Sequence, residues 1–217
     1  MKSVKALLEG NELFQKSYFK KHEEQLLDLV THGQHPKALF IGCADSRVIP
    51  TLITNAPPGQ LFVLRNVGNF VAPYKPDADY HATASGIEYA VLELNVSDVI
   101  ICGHTHCGAI AALYKDLNNE LFIHSKKWLT LGRKAKELAV LSLGKEAEME
   151  KLLALTEKLS ILSQIENLMT YPYVKERVDN GTLHIHGWMY DIESGEIEYY
   201  DPDEHQFYSL KDNNIFS

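Results

Sequence analysis

Two short segments carry residue types that can do chemistry together. The first is Cys43-Ala44-Asp45-Ser46-Arg47 and the second is Gly103-His104-Thr105-His106-Cys107-Gly108. Thiolate sulfur and imidazole nitrogen are both zinc donors. Cys43, His104 and Cys107 make a Cys2His set, which leaves one of zinc's four positions open, the pattern of a catalytic rather than a structural site. The chain has three cysteines, so no fourth thiolate can close the site. The third, Cys102, sits in a strand-like run whose alternation turns it from the face of its neighbours. Taken singly, Cys43 or Cys107 reads as well as a small core hydrophobe. Asp45 and Arg47 shift that weighing. An acid and a base two residues apart usually form a solvated bridge worth little, but this pair abuts a candidate ligand at a strand end.

For these segments to meet, the elements carrying them must end at one place. Lys37–Cys43, Leu61–Arg65 and Asp98–Gly103 are short apolar runs that read as buried strands. Helical spacing is expected over residues ~3–31 (one long helix or two short ones), over Ala82–Asn95, from Cys107 to Tyr114, over ~125–141 and ~145–170, and over Tyr173–Asn180. Thr182–Tyr190 and Glu196–Asp201 read as a hairpin around Glu193-Ser194-Gly195. Buried strands separated by helices imply an α/β fold with a mainly parallel central sheet flanked by helices and preceded by a long N-terminal helical arm. Ligands in such folds bind beyond the carboxyl ends of the strands, where Cys43 and His104 both lie.

Length and composition narrow the class. At 217 residues, with hydrophobic residues at 45% and charged residues at 23%, the chain matches one ordinary globular domain. We expect a single domain over 1–217. A net charge of −8 argues against nucleic acid and anionic membrane surfaces, which need a basic patch. Ala38–Cys43 and Val99–Gly103 are far shorter than the ~20 apolar residues of a membrane span. The amphipathic start reads as a helix rather than as a signal peptide. A cytoplasmic location with reduced thiols is expected.

In combination, the motifs resemble the β-class carbonic anhydrases. The resemblance covers Cys43-Ala44-Asp45-Ser46-Arg47, Pro58-Gly59-Gln60-Leu61-Phe62-Val63-Leu64-Arg65-Asn66-Val67-Gly68-Asn69, Ile87-Glu88-Tyr89-Ala90-Val91, Gly103-His104-Thr105-His106-Cys107-Gly108-Ala109 and His186-Gly187-Trp188-Met189-Tyr190. It implies a zinc enzyme, one ion per subunit, that reversibly hydrates carbon dioxide to bicarbonate and a proton. Cys43, His104 and Cys107 match the three zinc ligands, and Asp45 and Arg47 match an Asp–Arg dyad. Asp45 is then either a fourth ligand (closed) or turned to the arginine (open). Gln34 matches a glutamine that hydrogen-bonds substrate. Phe62, Val67 and Tyr89 match residues lining the carbon dioxide cleft, in part across a subunit boundary. Arg65 and Tyr190 match two members of a bicarbonate-holding triad whose third position is tryptophan. Phe40 stands there instead, a departure that favours an open resting site. The resemblance also implies a homodimer or homotetramer, with residues 1–35 packing on a partner subunit.

The chemistry fits the residue types. Zinc lowers the pKa of a bound water so that hydroxide exists near neutral pH. Two thiolates and a neutral imidazole cancel the metal's charge, so the bound-water pKa is expected above that of a three-histidine site, with activity rising toward alkaline pH. His106 reads as an exposed bystander between two ligands, and His81, His184 and His186 as structural histidines. Trp188, Tyr199 and Tyr200 read as core or interface aromatics. Three other readings use the same residues. One is a carbon disulfide or carbonyl sulfide hydrolase on the same scaffold. Another is a non-catalytic zinc-binding module, which has no need of Asp45 and Arg47. The last is a thiol redox protein, for which the chain lacks a Cys-x-x-Cys pair.

Overall fold

Apolar runs too short for helices pair into a sheet because pairing satisfies their backbone groups in a water-free interior. The computed structural model describes residues 4–77 and 79–211; Met1, Lys2 and Ser3, where the helical arm is expected to start, lie outside them. Two units divide the chain after His35. The N-terminal unit holds α1 (Val4–Phe14), a π-helical stretch (Gln15–Phe19) and α2 (Glu23–His32). None of the residues in these helices is buried, and Val4, Leu7, Leu8, Leu27 and Val30 are exposed. Its apolar stripe is thus open to solvent in a single chain.

The second unit begins with β1 (Ala38–Cys43), α3 (Pro50–Ile53), β2 (Leu61–Asn66), α4 (Ala82–Glu88) and β3 (Asp98–His104). It continues with α5 (Gly108–Ala112), α6 (Ile123–Leu129), α7 (Arg133–Leu143), α8 (Met149–Leu168) and α9 (Pro172–Asp179). Last come β4 (His184–Tyr190), β5 (Ile197–Asp201) and β6 (Gln206–Ser209).

The strands form one six-stranded sheet in the order β2-β1-β3-β4-β5-β6. β1 is parallel to β2 and β3, and β3 to β4, while β5 and β6 return antiparallel. Every residue of β1 and all but the first of β3 are buried, as expected for central parallel strands. β2 departs from the expected buried strand. It is the sheet edge, none of its residues is fully buried, and Val63 is 36% exposed. An apolar run cannot by itself distinguish an edge strand from a central one. β6 extends the expected hairpin by a further strand. The first charged helix is interrupted by a 3-10 turn at Thr130–Gly132, and the π-helical stretch Tyr89–Glu93 continues α4.

The main core lies between the sheet and helices α4, α8 and α9, around Leu39, Ile41, Ile101, Ile161, Leu168 and Val174. α8 packs closely because β3 and β4 offer glycines there. A Cβ on Gly103 would stand 2.9 Å from Ile161 Cδ1, and one on Gly187 3.0 Å from Ile161 Cγ2. Charge along α8 hides a buried face that includes Leu152, Thr156, Glu157, Ser160, Ile161 and Gln164.

Candidate metal centre

The sheet register brings the two motifs together. β1 and β3 are adjacent and parallel, with Gly42 opposite Cys102, so Cys43 and His104 emerge at the same end of neighbouring strands. Parallel neighbours are about 4.8 Å apart. Cys107 follows His104 at the turn into α5. His106, between them, takes a left-handed φ of +56°. That reversal lets His104 and Cys107 converge while the His106 ring stays in solvent, 3.6 Å from Glu193 Oε1. The ligand atoms of Cys43, His104 and Cys107 lie within 4.8 Å of one another, and all three residues are buried. Among the described residues the one other such cluster is the exposed Asp77, Asp79 and His81.

These donors fit a divalent cation. His104 Nδ1 donates to its neighbour Thr105's carbonyl at 2.8 Å, which fixes the tautomer and leaves Nε2 with the lone pair. Nε2 is fully buried and meets no hydrogen-bond partner. Such an orphan is costly unless something ligates it. The two thiols interact directly. The bond from Cys107 draws the Cys43 thiol well below its ordinary pKa, and the same bond holds Cys107 up. Burial works against charging His104, yet the Cys43 thiolate raises its pKa. Two thiols and an imidazole nitrogen held this close are a donor set that suits zinc.

Surrounding groups hold the three donors in place. Gly68 N–H donates to Cys43 Sγ at 3.4 Å. Glu157, buried on α8, accepts the Cys107 N–H at 2.8 Å, and burial raises its pKa. Arg65 donates Nε to the Cys43 carbonyl (3.0 Å) and Nη2 to the Asp45 carbonyl (2.7 Å), bracing the loop from the edge strand. Thr105 Oγ1 donates to Asp191 and accepts Ile192 N–H, tying the His104 turn to the end of β4.

Asp45 lies outside the three-donor cluster. Its Oδ1 accepts Arg47 Nε (2.9 Å) and the Arg47 backbone N–H (3.0 Å), and its Oδ2 accepts Arg47 Nη2 (2.7 Å). These bonds hold the carboxyl well below the usual carboxylate range. Arg47 Nη2 also donates to the His106 carbonyl at 3.1 Å, linking the two motifs directly.

The remaining candidates are spread more widely. Val67 follows β2 and is 51% exposed. Phe62 and Tyr89 meet each other, with ring centroids 5.8 Å apart. Phe62 pairs with Leu39, four residues before the Cys43–Asn66 pair, so within this chain it lies roughly 13 Å down the sheet from the cluster. Tyr190 is opposite His104 and packs, with Trp188, on the cluster containing Phe40. Gln34 is exposed and belongs to the N-terminal unit. Cys102 shares His104's strand parity, so depth rather than face keeps it out of the cluster. It lies two residues further into the sheet, and burial pushes its thiol up to about 12.

The carbonic anhydrase family profile matches residues 38–197, a span that begins with the strand leading to Cys43 and includes every cluster residue. The chain is 41% identical over 206 residues to a carbonic anhydrase of Synechocystis, covering 94% of this chain and 73% of that protein. The chain belongs to the β-carbonic anhydrase family. It is also 36% identical over 207 residues to the Pseudomonas aeruginosa carbonic anhydrase, covering 95% of this chain and 92% of that one. The solved β-carbonic anhydrase CcaA superimposes with a TM-score of 0.84 at 39% identity, covering 95% of this chain and 91% of that one. A β-carbonic anhydrase of Sordaria macrospora, described as tetrameric, superimposes with a TM-score of 0.79 at 28% identity, covering 90% and 95% of the two chains. The enzyme catalyses the reversible hydration of carbon dioxide to bicarbonate and a proton. Neither carbon disulfide or carbonyl sulfide hydrolysis nor a non-catalytic zinc module is favoured by these relationships.

Glu157 was not legible as part of the site. Its one signal is spacing, because it shares a helical stripe with Ile161, Gln164 and Leu168.

Proposed function

We propose that this carbonic anhydrase works from an open site. Cys43, His104 and Cys107 would hold one zinc per subunit, with Asp45 kept off the metal by Arg47. The observation that carries the reading is a buried three-donor cluster with a free lone pair at His104 Nε2, beside a carboxylate gripped at both oxygens. Zinc bound there supplies the Lewis acidity that makes a water nucleophilic near neutral pH. Asp45 Oδ1 already accepts two bonds from Arg47, whereas Oδ2 accepts one. Oδ2 therefore keeps a lone pair for the reacting water's hydrogen, and that contact turns the water oxygen toward carbon dioxide. Arg47, anchored on the His106 carbonyl, keeps Asp45 ionised in this role.

Gln34 serves as an amide donor to a bicarbonate oxygen, and Val67 forms an apolar wall beside Cys43. Phe62 and Tyr89 lie far from their own chain's cluster, which favours their lining a cleft completed across a subunit boundary. Val63 on the β2 edge is 36% exposed and Tyr89, on the stretch that continues α4, is 47% exposed, in keeping with a homodimer or homotetramer in which residues 1–35 pack on a partner. Arg65 braces the ligand loop in this reading, and its committed donors weigh against Arg65 and Tyr190 holding bicarbonate. Free thiols in the ligand set suit a reducing compartment such as the cytoplasm.

Stopped-flow carbon dioxide hydration, run beside metal analysis on purified enzyme, tests the proposal. About one zinc per chain and turnover that disappears with the metal support it. Full turnover in metal-free protein overturns it.

A further inference from the structure

The peptide group joining Val67 to Gly68 is hydrogen-bonded at both ends. Its N–H, on Gly68, donates to Cys43 Sγ at 3.4 Å. Its C=O, on Val67, accepts the indole Nε1–H of Trp128 at 2.7 Å. One amide thus connects a side chain of α6 to a metal-ligand thiolate.

The turn is built to hold this amide. Gly68 has φ +80°, and a Cβ there would stand 2.8 Å from Phe70 Cζ and 2.9 Å from Ala109 Cβ, so only glycine can present its N–H to the sulfur. Asn66 closes the turn on both sides, accepting Phe70 N–H at 2.8 Å and donating Nδ2 to the Phe70 carbonyl at 2.8 Å. The Trp128 ring lies against Phe70 with centroids 6.4 Å apart.

We propose that Trp128 is a positioning residue for the reaction. Through the Val67–Gly68 peptide it sets the electron density on Cys43 Sγ, and with it the Lewis acidity of the metal held there. A donor on an amide oxygen polarises the amide and strengthens its N–H as a donor. A donor on a ligating sulfur withdraws charge from the sulfur–metal bond, one of the levers by which surrounding groups tune a metal. The lever matters most where thiolates have quenched the metal's charge, as in a Cys2His set. The inference rests on the zinc reading above.

The test uses the full enzyme loaded with cobalt(II). Trp128→Phe keeps an aromatic ring and removes the N–H donor. 3-Benzothienylalanine at position 128 keeps the shape of the indole and places sulfur where the N–H was. Both are expected to move the thiolate-to-cobalt charge-transfer band to longer wavelength, because an unpolarised amide leaves the sulfur more electron-rich. With zinc, kcat/KM should fall about ten-fold, mainly in kcat. An unchanged band and rate in the benzothienyl variant overturns the proposal. So does a shift in Trp128→Phe that the benzothienyl variant does not share, because packing would then be the cause. A wild-type cobalt enzyme without a thiolate band overturns the zinc reading itself, and this inference with it.

Discussion

Arg47 grips Asp45 at both carboxylate oxygens, Nε on Oδ1 at 2.9 Å and Nη2 on Oδ2 at 2.7 Å. Paired contacts of this kind are the strong form of the arginine–carboxylate bond. They leave Asp45 beside the three-donor cluster and outside it. Asp45→Asn loses the anionic acceptor and Arg47→Ala loses the grip. Each is expected to keep its zinc while turnover drops by about 10²–10⁴-fold, the usual range for a lost proton-handling group. Metal content and kcat measured on the same preparations check this, and near-wild-type rates would refute the assignment.

Cys43→Ala removes one of the three proposed ligands and would leave His104 Nε2 buried without an ion. Zinc content should fall to near zero and the melting temperature should drop, since a metal bound only by the folded state stabilises it by mass action. Chelator treatment of the wild-type enzyme should produce the same drop, reversed by added zinc. A Cys43→Ala protein that keeps stoichiometric zinc would sink the ligand set.

Two thiolates and one imidazole neutralise a divalent ion, which makes it a weaker Lewis acid than one held by three imidazoles. Activity is therefore expected to rise from neutral toward alkaline pH. A kcat profile flat across that range would contradict the charge argument.

Gly103 precedes His104 and faces Ile161, where a Cβ would come within 2.9 Å of two side-chain carbons. Gly103→Ala overpacks this contact and should cost about 1–3 kcal/mol in denaturant unfolding. Adding Ile161→Val, which trims a methyl group at the contact, should recover part of the loss. Additive effects in the double mutant would show that the two residues do not compete for the same space.

His186 Nε2 bonds Asp98 Oδ1 at 2.9 Å across β3 and β4. Burial raises the Asp98 pKa, but Ser97 and His186 outweigh it and the net shift is downward. A carboxyl with a depressed folded pKa contributes stability that is present above its unfolded pKa, about 4, and is lost as pH falls through the folded value. Asp98→Asn should therefore melt below wild type at neutral pH, and the two should converge under acid conditions. A gap that persists unchanged into acid would mean that the carboxylate charge is not what stabilises the pair.

Much of this protein was readable from local pattern. Residue chemistry named Cys43, His104 and Cys107, and the apolar runs before Cys43 and His104 placed both at strand ends. Strand and helix periods are properties of neighbours in the chain, so sequence reports them directly. The position of a strand within the sheet is not such a property. Leu61–Leu64 is as apolar as the central runs, yet β2 is the edge, and Phe62 lies well down the sheet from its own chain's cluster. Glu157 reads as one more charge on a charged helix until α8 packs on Gly103 and Gly187 and delivers it to the Cys107 N–H. The turn of Asp45 onto Arg47 and the link from Trp128 through one peptide to Cys43 also arise only in the folded chain. Each depends on a hydrogen bond or packing contact whose direction is set by backbone that lies far away in sequence. Sequence by itself determined which atoms can bind the metal. Tertiary structure decided which groups hold those atoms and where their charge goes, because such contacts exist only once distant segments have closed on one another.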